Sequence, residues 1–146
     1  MGRPSELLAP LTTLIGEWET DSDMPGGRVH CTRQFAPTLG GAFIELVAHW
    51  AFASGAGYEE HAFFGAARDG SIGTWSFTSD GGHSIGSAAD VREIHPEGIG
   101  FIAMMPAGRA RQAYWIAEGG SLNWVVEAET PTGWERFTSH RYTRRG

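Results

Sequence analysis

The chain has 146 residues, 41 % of them hydrophobic and 19 % charged, with a formal net charge of −6. That length suits one domain with a real core, and the acidic balance argues against a nucleic-acid surface. All 11 basic residues are arginine and Cys31 is the sole cysteine; this excludes Schiff-base chemistry, an internal disulfide and a Cys-rich zinc site.

The first element reads as a short or kinked helix. Ser5 stands as its N-cap, with Pro4 before it. Leu7, Leu8, Leu11, Leu14 and Ile15 recur at helical spacing as one apolar stripe. Pro10 falls about one turn in, and Gly16 punctuates the end.

From Gly16 onward the period changes to that of strands, rich in β-branched and aromatic residues. Ten are expected: 16–21, 28–36, 42–53, 58–68, 72–79, 83–93, 98–105, 109–117, 121–128 and 133–143. The breaks are turn-like, among them Met24-Pro25-Gly26-Gly27, Ser54-Gly55-Ala56-Gly57, Asp80-Gly81-Gly82 and Pro131-Thr132-Gly133. Connections this short join antiparallel neighbours. Closing such a meander removes both edges, so the expected fold is a ten-stranded antiparallel up-and-down barrel with the helix over one mouth.

Face assignment follows the two-residue period of a strand. In strand 9, Leu122, Trp124, Val126 and Ala128 are expected inward. In strand 5, Trp75 and Phe77 share a face. In strand 10, Trp134, Arg136, Thr138, His140 and Tyr142 form one row, expected inward for its large aromatics. Strand 3 is apolar on both sides. One row holds Phe43, Glu45, Val47, His49 and Ala51; the other holds Ile44, Leu46, Ala48, Trp50 and Phe52. Either row can fill the barrel, and the remaining one suits a covering helix or a homodimer seam.

The stretch Leu11-Thr-Thr-Leu-Ile-Gly16-Glu17-Trp18 sets a short helix directly before Gly-x-Trp and the first strand. This resembles the calycin superfamily, in which lipocalins and fatty-acid-binding proteins share that opening. More narrowly, the chain is similar to a bacterial domain-of-unknown-function family of lipocalin-like barrels. The shared features are the Leu-x-x-Leu-x-Gly-x-Trp start, Leu39-Gly40-Gly41 before a long third strand, and Phe64-Gly65 followed by Asp69-Gly70 and Trp75. More distantly it resembles nitrobindin, a ten-stranded haem barrel whose iron-ligating His lies in the last strand, where His140 stands here. Nitrobindins follow the Trp with a Gly-rich run ending in Tyr-Pro; this chain continues Glu19-Thr20-Asp21-Ser22-Asp23-Met24.

The late strands carry the candidate chemistry. Arg111 and Arg136, if inward, offer forks for a carboxylate or phosphate. Against this stands an Arg paired inside the wall with Glu45, Glu60 or Glu127. Fatty-acid-binding proteins, by resemblance, hold their head group with an Arg-x-Tyr pair. Here Arg141 and Tyr142 are adjacent and face opposite ways, and His140 with Tyr142 is the same-face pair. Glu45, His49, Glu59, Glu60 and His61 have a metal-like composition without metal-site spacing. Gly82-His83-Ser84-Ile85-Gly86 matches the letter of a nucleophile elbow but precedes no helix.

The expected function is the binding of a small hydrophobic or amphipathic molecule in the barrel. Trp75, Phe77, Trp124, Trp134 and Tyr142 would line the cavity, and Arg111, Arg136 and His140 would meet the polar end. No resident cofactor, metal, nucleic acid or membrane is expected, and no turnover is assigned. The alternative is a haem barrel acting on reactive nitrogen species through His140. With no signal-peptide core and no apolar run near the ~18 residues that span a bilayer, a cytoplasmic location is expected.

Overall fold

The computed structural model describes residues 5–24 and 27–145. Pro4 and the Pro25-Gly26 turn therefore lie outside the described residues. An N-terminal 3-10 helix, Glu6–Leu14, leads into ten strands. These are β1 (Gly16–Met24), β2 (Gly27–Thr38), β3 (Phe43–Phe52), β4 (Gly57–Ala66), β5 (Ile72–Thr78), β6 (His83–Ala89), β7 (Ile99–Met105), β8 (Gly108–Ile116), β9 (Leu122–Thr130) and β10 (Gly133–Arg144). Each pairs antiparallel with the next, and β10 returns to β1 to close a barrel. Among the described residues no helix is long and apolar enough to cross a membrane.

The helix is 3-10 for a physical reason. Pro10 lacks an N–H and its ring crowds the carbonyl one α-turn back. The three-residue period then places Leu8, Leu11 and Leu14 on one buried face. The five-residue stripe read at α-helical spacing reduces to these three, with Leu7 and Ile15 half-buried. Ser5 makes no side-chain cap; its backbone N–H donates to the Gly41 carbonyl at 2.9 Å. Trp18 sits fully buried above the leucines and donates from Nε1 to the Leu14 carbonyl at 2.9 Å. The Arg144 guanidinium covers its ring at 4.3 Å. Gly16 (φ 138°) lets the chain turn in here, and a Cβ at this position would stand 2.4 Å from Arg144 Nη1.

The inner row of β3 is Ile44, Leu46, Ala48 and Trp50, all buried. This settles the open alternative: Glu45, Val47 and His49 lie on the outer face. The outer row is no apolar seam, because His49 and His61 both reach Glu59 (3.4 and 3.1 Å) and His61 also approaches Glu45 at 3.7 Å. Among the described residues no group of His, Cys, Asp and Glu forms a metal-holding cluster.

Two departures from the expected strands matter for the site. The sixth strand ends at Ala89, and residues 90–98 fold back over the outer wall. There Val91 packs onto Gly100, and His95 stacks on Trp115 at 4.6 Å. In β10 the register shifts between Arg136, opposite Glu127, and Thr138, opposite Val126. Phe137 is the extra residue of a β-bulge. The bulge turns Trp134 and Arg136 to the outer face and keeps Thr138, His140 and Tyr142 inward.

Candidate functional site

Inside the barrel, alternation along β2 aims Val29, Cys31, Arg33 and Phe35 at the axis, and all four are buried. Arg33 thus enters the centre of an otherwise apolar row, 1 % exposed. Its guanidinium carbon lies 4.0 Å from the Trp124 ring centroid and 5.5 Å from that of Trp50. One terminal nitrogen donates to the Tyr114 hydroxyl at 2.9 Å, and the other reaches the Tyr142 hydroxyl at 3.5 Å. Glu60 Oε1 stands 3.7 Å away. Nε has no partner. Burial disfavours the Arg33 charge, and the two phenols and Glu60 more than offset that, so it stays protonated. The same burial pushes Tyr114 well above the ordinary tyrosine range and raises Tyr142 too. Cys31 is pushed up to about 11, again chiefly by burial.

Between this cage and the mouth away from the helix lies a cavity of about 810 Å3. Its apolar wall includes Leu46, Trp50, Phe64, Phe101, Trp124 and Val126. Glu60, Thr74, Ser76, Thr78 and Gln112 set polar groups among them, and Asp80, Arg109 and Arg111 also border the space. Ser76 Oγ donates to Glu60 Oε2 at 2.5 Å, and Trp124 Nε1 donates to Gln112 Oε1 at 2.9 Å. Met105 and the bulged Phe137, 40 % and 63 % exposed, stand at the rim. The volume lies within the ~300–1,000 Å3 usual for small-molecule pockets.

The residues expected from sequence divide between the two faces. Trp124 lines the cavity as expected. Tyr142 is inward and fully buried, but it belongs to the Arg33 cage rather than the cavity wall. His140 is inward and 8 % exposed. It accepts or donates one bond through Nδ1 to Ser22 Oγ (2.9 Å) and stacks on Trp124 at 5.8 Å. Burial, and then the Arg33 charge, lowers its pKa below the usual imidazole value.

The other five orientations are corrected. Trp75 and Phe77 do share a face, but it is the outer one. Trp75 packs against Phe43 at 6.1 Å, Phe77 is 52 % exposed, and the inward residues of β5 are the hydroxyls Thr74, Ser76 and Thr78. Arg111, Trp134 and Arg136 also stand outside. Arg111 borders the cavity, but it lies between the inward Gln112 and Ala110 and its guanidinium turns to the outer wall, where it meets Glu127 at 2.8 Å. Arg136 reaches the same carboxylate at 3.2 Å, and Trp134 lies 4.4 Å from the Arg111 guanidinium. The pairing with Glu127, weighed from sequence as the wall alternative, is the arrangement found.

Sequence reasoning missed Arg33 as a cavity-side cation. The signal was present in the alternation Val29, Cys31, Arg33, Phe35, an inward row with one charge in it. Glu60 had the same signal in the row Tyr58, Glu60, Ala62, Phe64.

No protein-family model matches the chain, and no curated protein matches it. Among solved structures it is similar to the crystal structure of Rv2717c from M. tuberculosis, with a TM-score of 0.64. The two share a fold. The likeness covers 98 % of this chain and 99 % of that one at 14 % identity.

Proposed function

We propose that this protein is a calycin-like binding barrel for a small amphipathic molecule. The apolar body of the ligand lies against Trp50, Phe64, Phe101 and Trp124. Its polar end faces Glu60, Ser76 and Gln112. The observation that carries this reading is the cavity of about 810 Å3, whose wall combines aromatic and aliphatic side chains with a smaller set of polar groups. Glu60, beside Ser76 on the inner wall, favours a hydroxyl or amine end placed against it and repels an anionic one, while Asp80, Arg109 and Arg111 border the space as well. Arg33 does not reverse this, because Glu60 and two phenols already face it.

The haem alternative fits these residues poorly. His140 lies outside the cavity wall, with one ring nitrogen on Ser22 and one face on Trp124. No step is derived through a haem.

Native mass spectrometry and calorimetric titration with 1-decanol, decylamine and decanoate test the proposal. One decanol or decylamine per barrel is expected, with decanoate at least tenfold weaker. Ala103→Trp, which fills the cavity from β7, should abolish binding while the fold is kept. Wild-type protein that takes up none of the three probes would end this reading.

A further inference from the structure

Gln112 lies midway along β8 and borders the cavity between two apolar cross-strand neighbours, Phe101 on β7 and Val126 on β9. Its amide accepts through Oε1 from Trp124 Nε1 at 2.9 Å. An indole N–H can only donate, so the amide oxygen has to face it and the NH2 has to face away. Trp124 is itself held in place. The Arg33 guanidinium covers it at 4.0 Å, and the rings of Trp50, Tyr114 and His140 lie within 6.3 Å. The cage at the barrel centre therefore fixes which way the Gln112 amide points.

Among the described residues Nε2 meets no acceptor. Nor is it sealed in protein, since among those residues the enclosed side-chain polar atom without a partner is Arg33 Nε. An amide NH2 thus opens onto the cavity from an apolar stretch of wall. Other polar groups of the wall differ from it. Hydroxyls turn to suit a donor or an acceptor. Ser76 and Thr78 already donate to Glu60 and Asp80 at 2.5 and 2.6 Å. Arg109 and Arg111 are paired with Glu129 and Glu127 at 2.6 and 2.8 Å. The Gln112 NH2 can only donate, and no described side chain takes its hydrogens.

We propose that Gln112 determines specificity, and that the ligand carries a carbonyl which accepts a hydrogen bond from its Nε2. The inference rests on the cavity reading above and deepens it. The ligand class becomes an amphipathic molecule whose polar end holds a carbonyl for Gln112 and a hydroxyl or amine for Glu60. A ligand body that covers Nε2 without offering an acceptor leaves a donor unpaired in an apolar place, which costs affinity. A carboxylate would also satisfy Nε2, but Glu60 repels it.

Calorimetric titration of 1-decanol and 1-hydroxydecan-2-one into wild-type protein and two variants tests this. Gln112→Met removes the donor at similar length. Gln112→Glu removes it and keeps an acceptor for Trp124. In both, the affinity of the hydroxyketone relative to decanol should fall roughly fivefold, the worth of one hydrogen bond. In the wild type, the Gln112 side-chain amide resonances should shift with the hydroxyketone and much less with decanol. That measurement decides the matter should the variants fail to fold. Equal shifts with the two probes, or an unchanged affinity ratio in folded variants, overturn the carbonyl while the cavity reading stands. Wild-type protein that binds neither probe overturns both.

Discussion

Arg33 lies over the Trp124 ring in the middle of the barrel, with 4.0 Å between guanidinium carbon and ring centroid. A cation placed there is held by ring faces, two phenols and a single carboxylate rather than by water. The arrangement sets the floor of the cavity and makes Glu60 its inner polar end.

Removing one member of that group leaves the other unpaired in a low-dielectric interior. Arg33→Met should destabilise the fold by about 3–5 kcal/mol, because Glu60 loses its counter-charge. Adding Glu60→Gln should recover part of the loss, since the uncompensated charge goes with it. Urea denaturation of the two single variants and the double variant checks the coupling. Strictly additive losses would mean that the two side chains do not interact.

His140 supplies a pH dependence. Burial and Arg33 lower its folded pKa below the ordinary 6.5. The unfolded chain then binds a proton more readily, so this group's contribution is present above pH 6.5 and is lost as pH falls through the folded value. The melting temperature should drop below about pH 6.5, and the drop should be shallower in His140→Gln. An NMR titration of the His140 ring gives the folded value directly; one at or above 6.5 would contradict this account.

Cys31 is fully buried, and its thiol is pushed up to about 11 by burial. The thiolate is the reactive form, so the native protein should resist iodoacetamide at pH 8 and react within minutes in denaturant. Rapid labelling of native protein would show that β2 opens locally.

On the outer wall, Glu127 bridges Arg111 and Arg136, and its side chain is 9 % exposed. Glu127→Gln leaves the buried Arg111 with only the exposed Glu93, and should cost about 3 kcal/mol. Arg136→Ala, at a half-exposed position, should cost at most about 1 kcal/mol. Neither change should alter decanol binding, because both residues stand outside the barrel. A binding loss in Arg136→Ala would return that residue to the cavity.

Much of the architecture was legible in the chain. Strand number and order followed from short Gly, Asp and Pro turns between β-rich runs, which leave an antiparallel meander little choice. The helix before Gly16-Glu17-Trp18 was legible too, although Pro10 makes it a 3-10 helix. Trp124 could be placed inward, because β9 alternates cleanly.

Where the sequence failed, it failed at faces. Large aromatics predict an inward face, but β5 turns Trp75 and Phe77 outward and lines the cavity with Thr74, Ser76 and Thr78. A wall facing a polar-sided cavity reverses the usual contrast between inside and outside. The single residue Phe137 reversed half of β10. A bulge arises from pairing with β9, so it leaves no mark on the period of β10 itself.

The order of strands and the alternation along each one are properties of the chain, fixed by local backbone preference and turn length. Which row faces the axis depends on how neighbours register when the sheet closes. That closure alone brings Arg33 on β2, Glu60 on β4 and Trp124 on β9 together, because only the circumference of the barrel makes distant strands face one another.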